Sequence, residues 1–510
     1  MRCWILRMSA VIVCACGGAH RGGAASGPLA WVPARSPIVV ASLEPVPFDV
    51  VDVHADVIAP LFEVRREGGD FTQLLAALRA EWSREGIAAL GLSPAPRFAF
   101  YLVDAVPVVR IEVRDAARAE RHIGELAERT RGRRETLRGR TYWRYAAPQA
   151  QERIVAVHDG QVVIAWGPRD QVEAAIVRIL GAVRPSRAMP VEELAAVRRG
   201  YRLGPIVGVV DVQRLLVARA SRVTVPLLPE CTDAIARVAA RVPRIVGTYE
   251  LAAKRRSLSL VVETAPDLAA EVRAAQVAFP PLVAELAERR FFTLGAAADV
   301  PRAHALARAA LAALDRVATA CNLAELRDEL RDADALRAAL PGPVATIRGA
   351  VVSLRTMSLS RGAYIPLPER IVGFGLLAAR EVRPLFALLQ LQDAISRLGI
   401  VADGELRTIA PDRLPFPMPF PLHAGVTERH VVIAADDNGR ELAERALAET
   451  GRAPAPFVGG SLDWQRVLEV LETFERGERR EAPETRVSRA ALRVAPHAAG
   501  LGIVLELELK

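Results

Sequence analysis

The stretch GPIVGVVDVQRLL, from Gly204 to Leu216, is restated half a chain later as APFVGGSLDWQRVL, from Ala455 to Leu468. Each reads as an apolar run, an Asp (Asp211, Asp463), then Gln-Arg and an apolar pair, the pattern of a strand that feeds a capped helix. Such doubling constrains the fold more than any other feature of the chain. Each copy must bury its own apolar faces, and a repeat this long is a whole domain rather than a turn of a solenoid.

Other segments pair in the same way. RIVAVHDGQVVIAWGPRDQVEAAIVRILG, from Arg153, and PLHAGVTERHVVIAADDNGRELAERALAE, from Pro421, each read as strand, tight polar turn, strand and amphipathic helix. Asp159-Gly160 between apolar runs is a two-residue hairpin signal, whereas Thr427-Glu428-Arg429 has no glycine. Upstream, 107–130 and 369–391 each read as a strand followed by a helix. Downstream, 244–264 and 489–509 alternate as strands, and 38–47 has its counterpart in 291–301. Hairpins interspersed with helices predict an α+β fold, with two related copies of a mixed, mostly antiparallel sheet and packed helices. The expected division is a first repeat over 36–265, a helical connector over 266–287 and a second repeat over 288–510.

Hydrophobic residues make up 51% of the 510, enough for sizeable cores, and charged residues 25%, an ordinary globular share. The net charge of +8 is carried almost wholly by arginine, Lys254 and Lys510 being the lone lysines. That bias reads as coding composition, which weakens any inference from net charge to an acidic partner.

The N-terminus places the protein. Arg2 and Arg7 precede the short apolar run Met8–Ala15, too short to span a bilayer, and then come Val13-Cys14-Ala15-Cys16-Gly17. This resembles the bacterial lipobox. The resemblance implies a signal peptide over 1–15, cleavage before Cys16 and acylation of Cys16, with several chains anchoring the protein stably in the membrane. Gly17 in place of Asp implies sorting to the outer membrane, facing the periplasm or cell surface. The alternative is an ordinary secretory signal cut near Gly22–Gly27. The Gly- and Ala-rich stretch 16–35 is expected to be a flexible tether.

Candidate sites are few. HExxH, GxSxG, a P-loop and a strand-linked GxGxxG are all absent from the sequence, so no catalytic residue is assigned and no cofactor or metal is expected. Asp52, His54 and Asp56 would share one face of a strand and could converge on an ion, but a helix over the same residues would separate them. Asp211 and Asp463 read as helix N-caps, or alternatively as paired carboxylates in a cleft. In RTRGRRETLRGRTYWRY, Arg131, Arg133, Arg134, Arg138, Arg140 and Arg144 are interleaved with Tyr142, Trp143 and Tyr145. These arginines are the anion-binding candidates; the alternative is a solvated hairpin. LPFPMPFPL (414–422) forces an extended strip carrying Phe416, Met418 and Phe420.

Once Cys16 is acylated, Cys231 and Cys321 are the pair left in an oxidising compartment, where disulfides persist. A bond between them closes 90 residues (321 − 231). It is expected to staple the two halves together, for on the order of 3–4 kcal/mol; the alternative is two separately buried thiols. The body is similar to uncharacterised, duplicated bacterial envelope proteins. The sequence-level expectation is therefore a lipid-anchored, non-enzymatic envelope protein. It would be held at the membrane through Cys16 and would bind a partner protein or an anionic envelope ligand, with no nucleic acid. An envelope hydrolase with an unrecognised site in a cleft is the alternative.

Overall fold

Alternating apolar runs bounded by turn residues become strands along the whole chain, and each strand pairing given below is antiparallel. The computed structural model describes residues 27–46, 91–147, 151–221, 226–252, 254–331, 333, 338–359, 368–414, 418–467 and 487–509. The chain divides into two compact units, Met1–Ala253 with Thr319–Leu323, and Lys254–Ala318 with Ala324–Lys510.

Unit 1 runs β1 (Ile38–Ser42), β2 (Phe98–Val103), β3 (Val106–Glu112), α1 (Ala116–Arg129), β4 (Arg133–Leu137), β5 (Arg140–Ala147), β6 (Gln151–His158) and β7 (Gln161–Pro168). It continues through α2 (Arg169–Ile179), α3 (Val191–Tyr201), β8 (Ile206–Asp211), α4 (Val212–Ala220), α5 (Pro229–Arg241) and β9 (Arg244–Ala252). Its sheet order is β9-β8-β1-β2-β3-β7-β6-β5-β4. The β6–β7 hairpin closes at Asp159 and Gly160, both at positive φ (53° and 72°). This is the twist a two-residue loop needs and the one that Asp-Gly tolerates. Val39, Ala41, Tyr101, Val108, Ile154, Val163 and Val207 face α2 and α3 residues such as Val172, Ile179 and Leu194 in one core.

That core holds a fully buried arginine. Arg110 Nε donates to Tyr101 Oη at 2.9 Å, Nη1 to Gln161 Oε1 at 3.2 Å, and Nη2 to the Ile179 carbonyl at 2.8 Å. Its guanidinium also lies 4.7 Å from the Trp31 ring centroid, within cation–π range. Burial pushes the Tyr101 hydroxyl above its ordinary pKa, against the lowering pull of Arg110. Trp31 corrects the expected tether. Pro28–Trp31 form a 3-10 turn, Trp31 and Val32 are buried, and Val32 accepts from the Met189 amide at 2.8 Å. Residues 27–35 are packed because an indole gripped by Arg110 and Arg184 has left water. The signal peptide and Cys16 lie outside the described residues.

Unit 2 runs β10 (Arg255–Glu263), α6 (Pro266–Ala274), α7 (Pro280–Ala287), β11 (Phe292–Ala297), α8 (Val300–Ala320), α9 (Ala324–Arg331), β12 (Ile347–Leu359) and β13 (Pro368–Ala379). It continues through α10 (Val382–Gln390), β14 (Arg407–Thr408), β15 (Leu422–Val426), β16 (His430–Ala435), α11 (Asp437–Ala448), β17 (Val458–Asp463), β18 (Val487–His497) and β19 (Gly500–Leu509). Its sheet order is β10-β19-β18-β17-β11-β12-β13-β16-β15-β14. The stretch expected as a connector is α6 and α7, both in unit 2. The unit boundary falls at Ala253/Lys254 rather than near 265, because β10 pairs along its whole length with β19, the last strand. One face of this sheet packs Phe374, Leu376 and Val432 against Leu282 of α7 and Leu442 of α11. On the opposite face Leu492, Leu294, Val352 and Ile433 lie in one transverse row with Gly460 and Gly375, and these four side chains are exposed.

Cys231 in α5 and Cys321, just after α8, form a disulfide with Cα atoms 4.7 Å apart. The bond expected between the first and second repeats is present, and because Thr319–Leu323 count with unit 1 both cysteines fall in one compact unit.

Candidate functional site

The arginine-rich segment folds as a hairpin that follows α1. The helix starts on Asp115, which accepts from the Arg118 amide, and ends at Thr130, whose hydroxyl donates to the Leu126 carbonyl at 2.8 Å. Strands β4 and β5 then join through Arg138-Gly139, both at positive φ (51° and 76°). Tyr142, Trp143 and Tyr145 are all buried, so they anchor the hairpin rather than stack on a ligand. Gly132 lets the chain pass Tyr145, since a Cβ there would sit 2.7 Å from the ring.

The six candidate arginines separate into two sets. Arg144 is locked among Glu135 (3.0 Å), Glu152 (2.6 Å) and Glu173 (3.2 Å). Burial works against its charge, but the bonds to Tyr142 and Glu152 hold its pKa above the ordinary value. Arg140 pairs with Asp159 at 2.6 Å and donates to the Leu180 carbonyl at 3.0 Å, and Arg133 pairs with Glu135. Burial alone would raise the Glu135 carboxyl, yet hydrogen bonds from Tyr142 and Arg133 hold it below its ordinary value. Arg131, Arg134 and Arg138 are exposed, and none has an acidic partner among the described residues. Arg134 lies on the edge strand β4, with Arg131 just before it and Arg138 in the turn that follows it, both at positive φ (60° and 51°). Structure thus divides what the sequence presents as one cluster: Arg133, Arg140 and Arg144 are neutralised, and the other three remain available.

Unit 2 holds a groove of about 410 Å3 on the helix-covered face, between Leu286 of α7 and strands β17–β19. Ser461, Ala491 and Glu506 form one transverse row of its floor, and Arg493 and Val504 lie in the next. Arg255 pairs with Glu506, and Arg489 lies 3.6 Å from Glu508. Beside the groove Glu285 takes Arg290 through two bonds of 2.7 and 3.0 Å and also accepts from Ser353. The bond from Ser353 of β12 to Glu285 of α7 ties the helix to the sheet. No histidine lines the groove. Sequence reading missed this site. Its available signal was Gly459-Gly460-Ser461, three small residues inside an apolar strand, which marks a close approach or a gap.

Asp211 and Asp463 both cap helices. Asp211 accepts from the Arg214 amide at 2.9 Å and Asp463 from the Arg466 amide at 3.3 Å. Phe420 of the proline strip is buried, so that part of the strip packs on its own unit; Phe416 lies outside the described residues, as do Asp52, His54 and Asp56. Among the described residues no cluster of His, Cys, Asp and Glu could hold a metal ion, and no helix is long and apolar enough to cross a membrane.

No protein-family model matches the chain, and no curated protein matches it. Among solved structures the chain is similar to one described as "Structure of crystal form I of TP0453", at 11% identity and a TM-score of 0.27, covering 50% of this chain and 88% of that one.

Proposed function

We propose that this is a lipid-anchored, non-enzymatic protein of the cell envelope that binds an anionic envelope component through the β4–β5 hairpin, and that it is built from two copies of one α+β unit. The observation that carries the binding reading is the split among the arginines. Three are spent in fixing the hairpin, while Arg131, Arg134 and Arg138 stay exposed and unpaired on it. Binding is favoured over hydrolysis because arginines and apolar walls, not a nucleophile–base pair, line the groove of unit 2. Duplication is supported by strand order: β9-β8-β1-β2-β3-β7-β6-β5 and β18-β17-β11-β12-β13-β16-β15-β14 run in the same sequence, with capping Asp211 and Asp463 closing β8 and β17. Envelope location rests on the lipobox-like Val13–Cys16.

The test uses the Cys16→Ala chain, so that acylation does not mask weaker contacts, with vesicles of neutral or phosphatidylglycerol-containing lipid. Cys16→Ala itself should release the protein from the membrane fraction. Each basic residue near an anionic surface contributes about 1 kcal/mol, so replacing Arg131, Arg134 and Arg138 with Ser should weaken binding to anionic vesicles on the order of a hundredfold at low salt. Salt should erase the difference. Binding that is unchanged in the triple variant, or equal on neutral vesicles, refutes the reading.

A further inference from the structure

We propose that the groove of unit 2 is a binding site for a small molecule bearing one carboxylate on an apolar body, a site separate from the arginine hairpin and independent of it. Two observations carry this. First, Ser461 is 5% exposed and its Oγ is buried without a hydrogen-bond partner, although it lines the groove. A buried hydroxyl left unpaired is costly, and such a group at the floor of a groove calls for a ligand acceptor. Second, the charges leave one cation over. Arg255 and Arg489 are each matched by a glutamate, Glu506 and Glu508, whereas Arg493 has no acidic partner among the described residues. Arg493 is diagonal to Ser461 across β17 and β18, with Ala491 between them on the same face. That diagonal spans about 7–8 Å, within reach of a long side chain. A carboxylate between them would accept from the Ser461 hydroxyl and the Arg493 guanidinium together, and Leu286 and Val504 give its apolar part a wall on either side. The groove's size is that of small-molecule sites. One spare positive charge selects a monoanion over a dianion.

The experiment titrates the full-length protein with octanoate by calorimetry and by the 13C shift of a labelled carboxyl, with octanol, octylammonium and octyl phosphate as comparisons. Octanoate should saturate one site per chain. Arg493→Gln and octanol, each removing one side of the charge-assisted pair, should both weaken binding by at least about tenfold. Ser461→Ala should weaken it several-fold yet leave the melting temperature unchanged or higher, because it deletes an unpaired buried hydroxyl. Ala491→Phe, which fills the trough, should abolish binding, and Ser461→Ala keeps the test decisive should that variant fold poorly. No saturable binding at millimolar octanoate overturns the proposal. So does octanol or octylammonium binding as tightly, tighter binding of octyl phosphate, or indifference to both Arg493→Gln and Ser461→Ala.

Discussion

Breaking the Cys231–Cys321 bond should loosen unit 1 and, through the loop it closes over Lys254–Ala318, unit 2 as well. The bond joins residues 90 apart in sequence, both counted with unit 1. In the loop-entropy model a cross-link removes roughly 2.1 + 1.5R ln n cal/mol/K from the unfolded chain, about 15 cal/mol/K here, or about 4.6 kcal/mol near room temperature. Residual structure in the unfolded chain trims that toward about 3–4 kcal/mol. At about 1.4 kcal/mol per factor of ten, the slowest-exchanging amides of β1, β2 and β8 should exchange roughly two to three orders of magnitude faster in the Cys231→Ser, Cys321→Ser chain. The slowest amides of β12 and β13 should accelerate as well, because residues 254–318 of the closed loop belong to unit 2. Hydrogen exchange read by mass spectrometry on the oxidised chain and the double variant gives both numbers in one experiment. Acceleration confined to unit 1 would refute the loop-entropy account. Two alkylatable thiols in the untreated chain would refute the bond itself.

Arg110→Met should destabilise the protein by about 2–4 kcal/mol in urea unfolding, since the Tyr101 hydroxyl and the Ile179 carbonyl lose a buried partner at ~1–3 kcal/mol each, partly offset by relief of a buried charge. Arg110→Lys should not restore it, because one ammonium cannot reach three acceptors in a planar fork; an effect below ~0.5 kcal/mol would contradict this account of the core. Stability should also fall on mild acidification. Burial, helped by Arg140, holds His158 below its ordinary pKa, and burial with Arg429 does the same for His430. The unfolded chain therefore takes up protons first, so stability is full above about pH 6.5 and declines as the pH drops from there toward the depressed folded values. His158→Gln with His430→Gln should flatten the urea midpoint across that window, and an unchanged slope would show that other groups dominate it.

Local signals carried much of the fold. Asp159-Gly160 specified a hairpin, Asp211 and Asp463 helix starts, and the cysteine count the bond between Cys231 and Cys321. What escaped was set by partners far away in sequence. The boundary near 265 failed because β10 pairs with β19, roughly half the chain later, and no local periodicity reports that. Arg110 breaks the run Val108-Val109-Arg110-Ile111 and reads as solvent-facing, yet it shares the core face with Val108 because Tyr101, Gln161 and Ile179 supply three acceptors there. The arginine segment was legible as charge but not as pairing. Glu152 and Glu173, which lock Arg144, come from β6 and α2. Its aromatics suggested stacking on a ligand, and they are buried because both faces of β5 are covered.

The groove of unit 2 can be set beside the same place in unit 1, counting back from the capping Asp of each strand. Two residues before Asp463 stands Ser461, opposite Ala491; two before Asp211 stands Val209, opposite Val246. Two residues further back, Gly459 lies opposite Arg493, where unit 1 has Val207 opposite Thr248. Val207 and Val246 are fully buried in the core of unit 1, and Val209 packs against it. The trough in unit 2 is floored by Ser461 and Ala491 where unit 1 has two valines, while Gly459 makes room for Leu286, which a Cβ there would strike. Two truncations of core valine volume in one place would each cost stability without return in a domain that only had to fold. The same comparison runs the other way at the far edge, where unit 1 carries the β4–β5 hairpin and unit 2 ends in the two-residue β14. If the units are copies, each has given up what the other kept: unit 1 a filled core and a basic edge, unit 2 a bare edge and an open trough. Filling that trough with Ser461→Val and Ala491→Val should then raise the stability of unit 2 and abolish octanoate binding, and a loss of stability would mean that the small residues are there for packing alone.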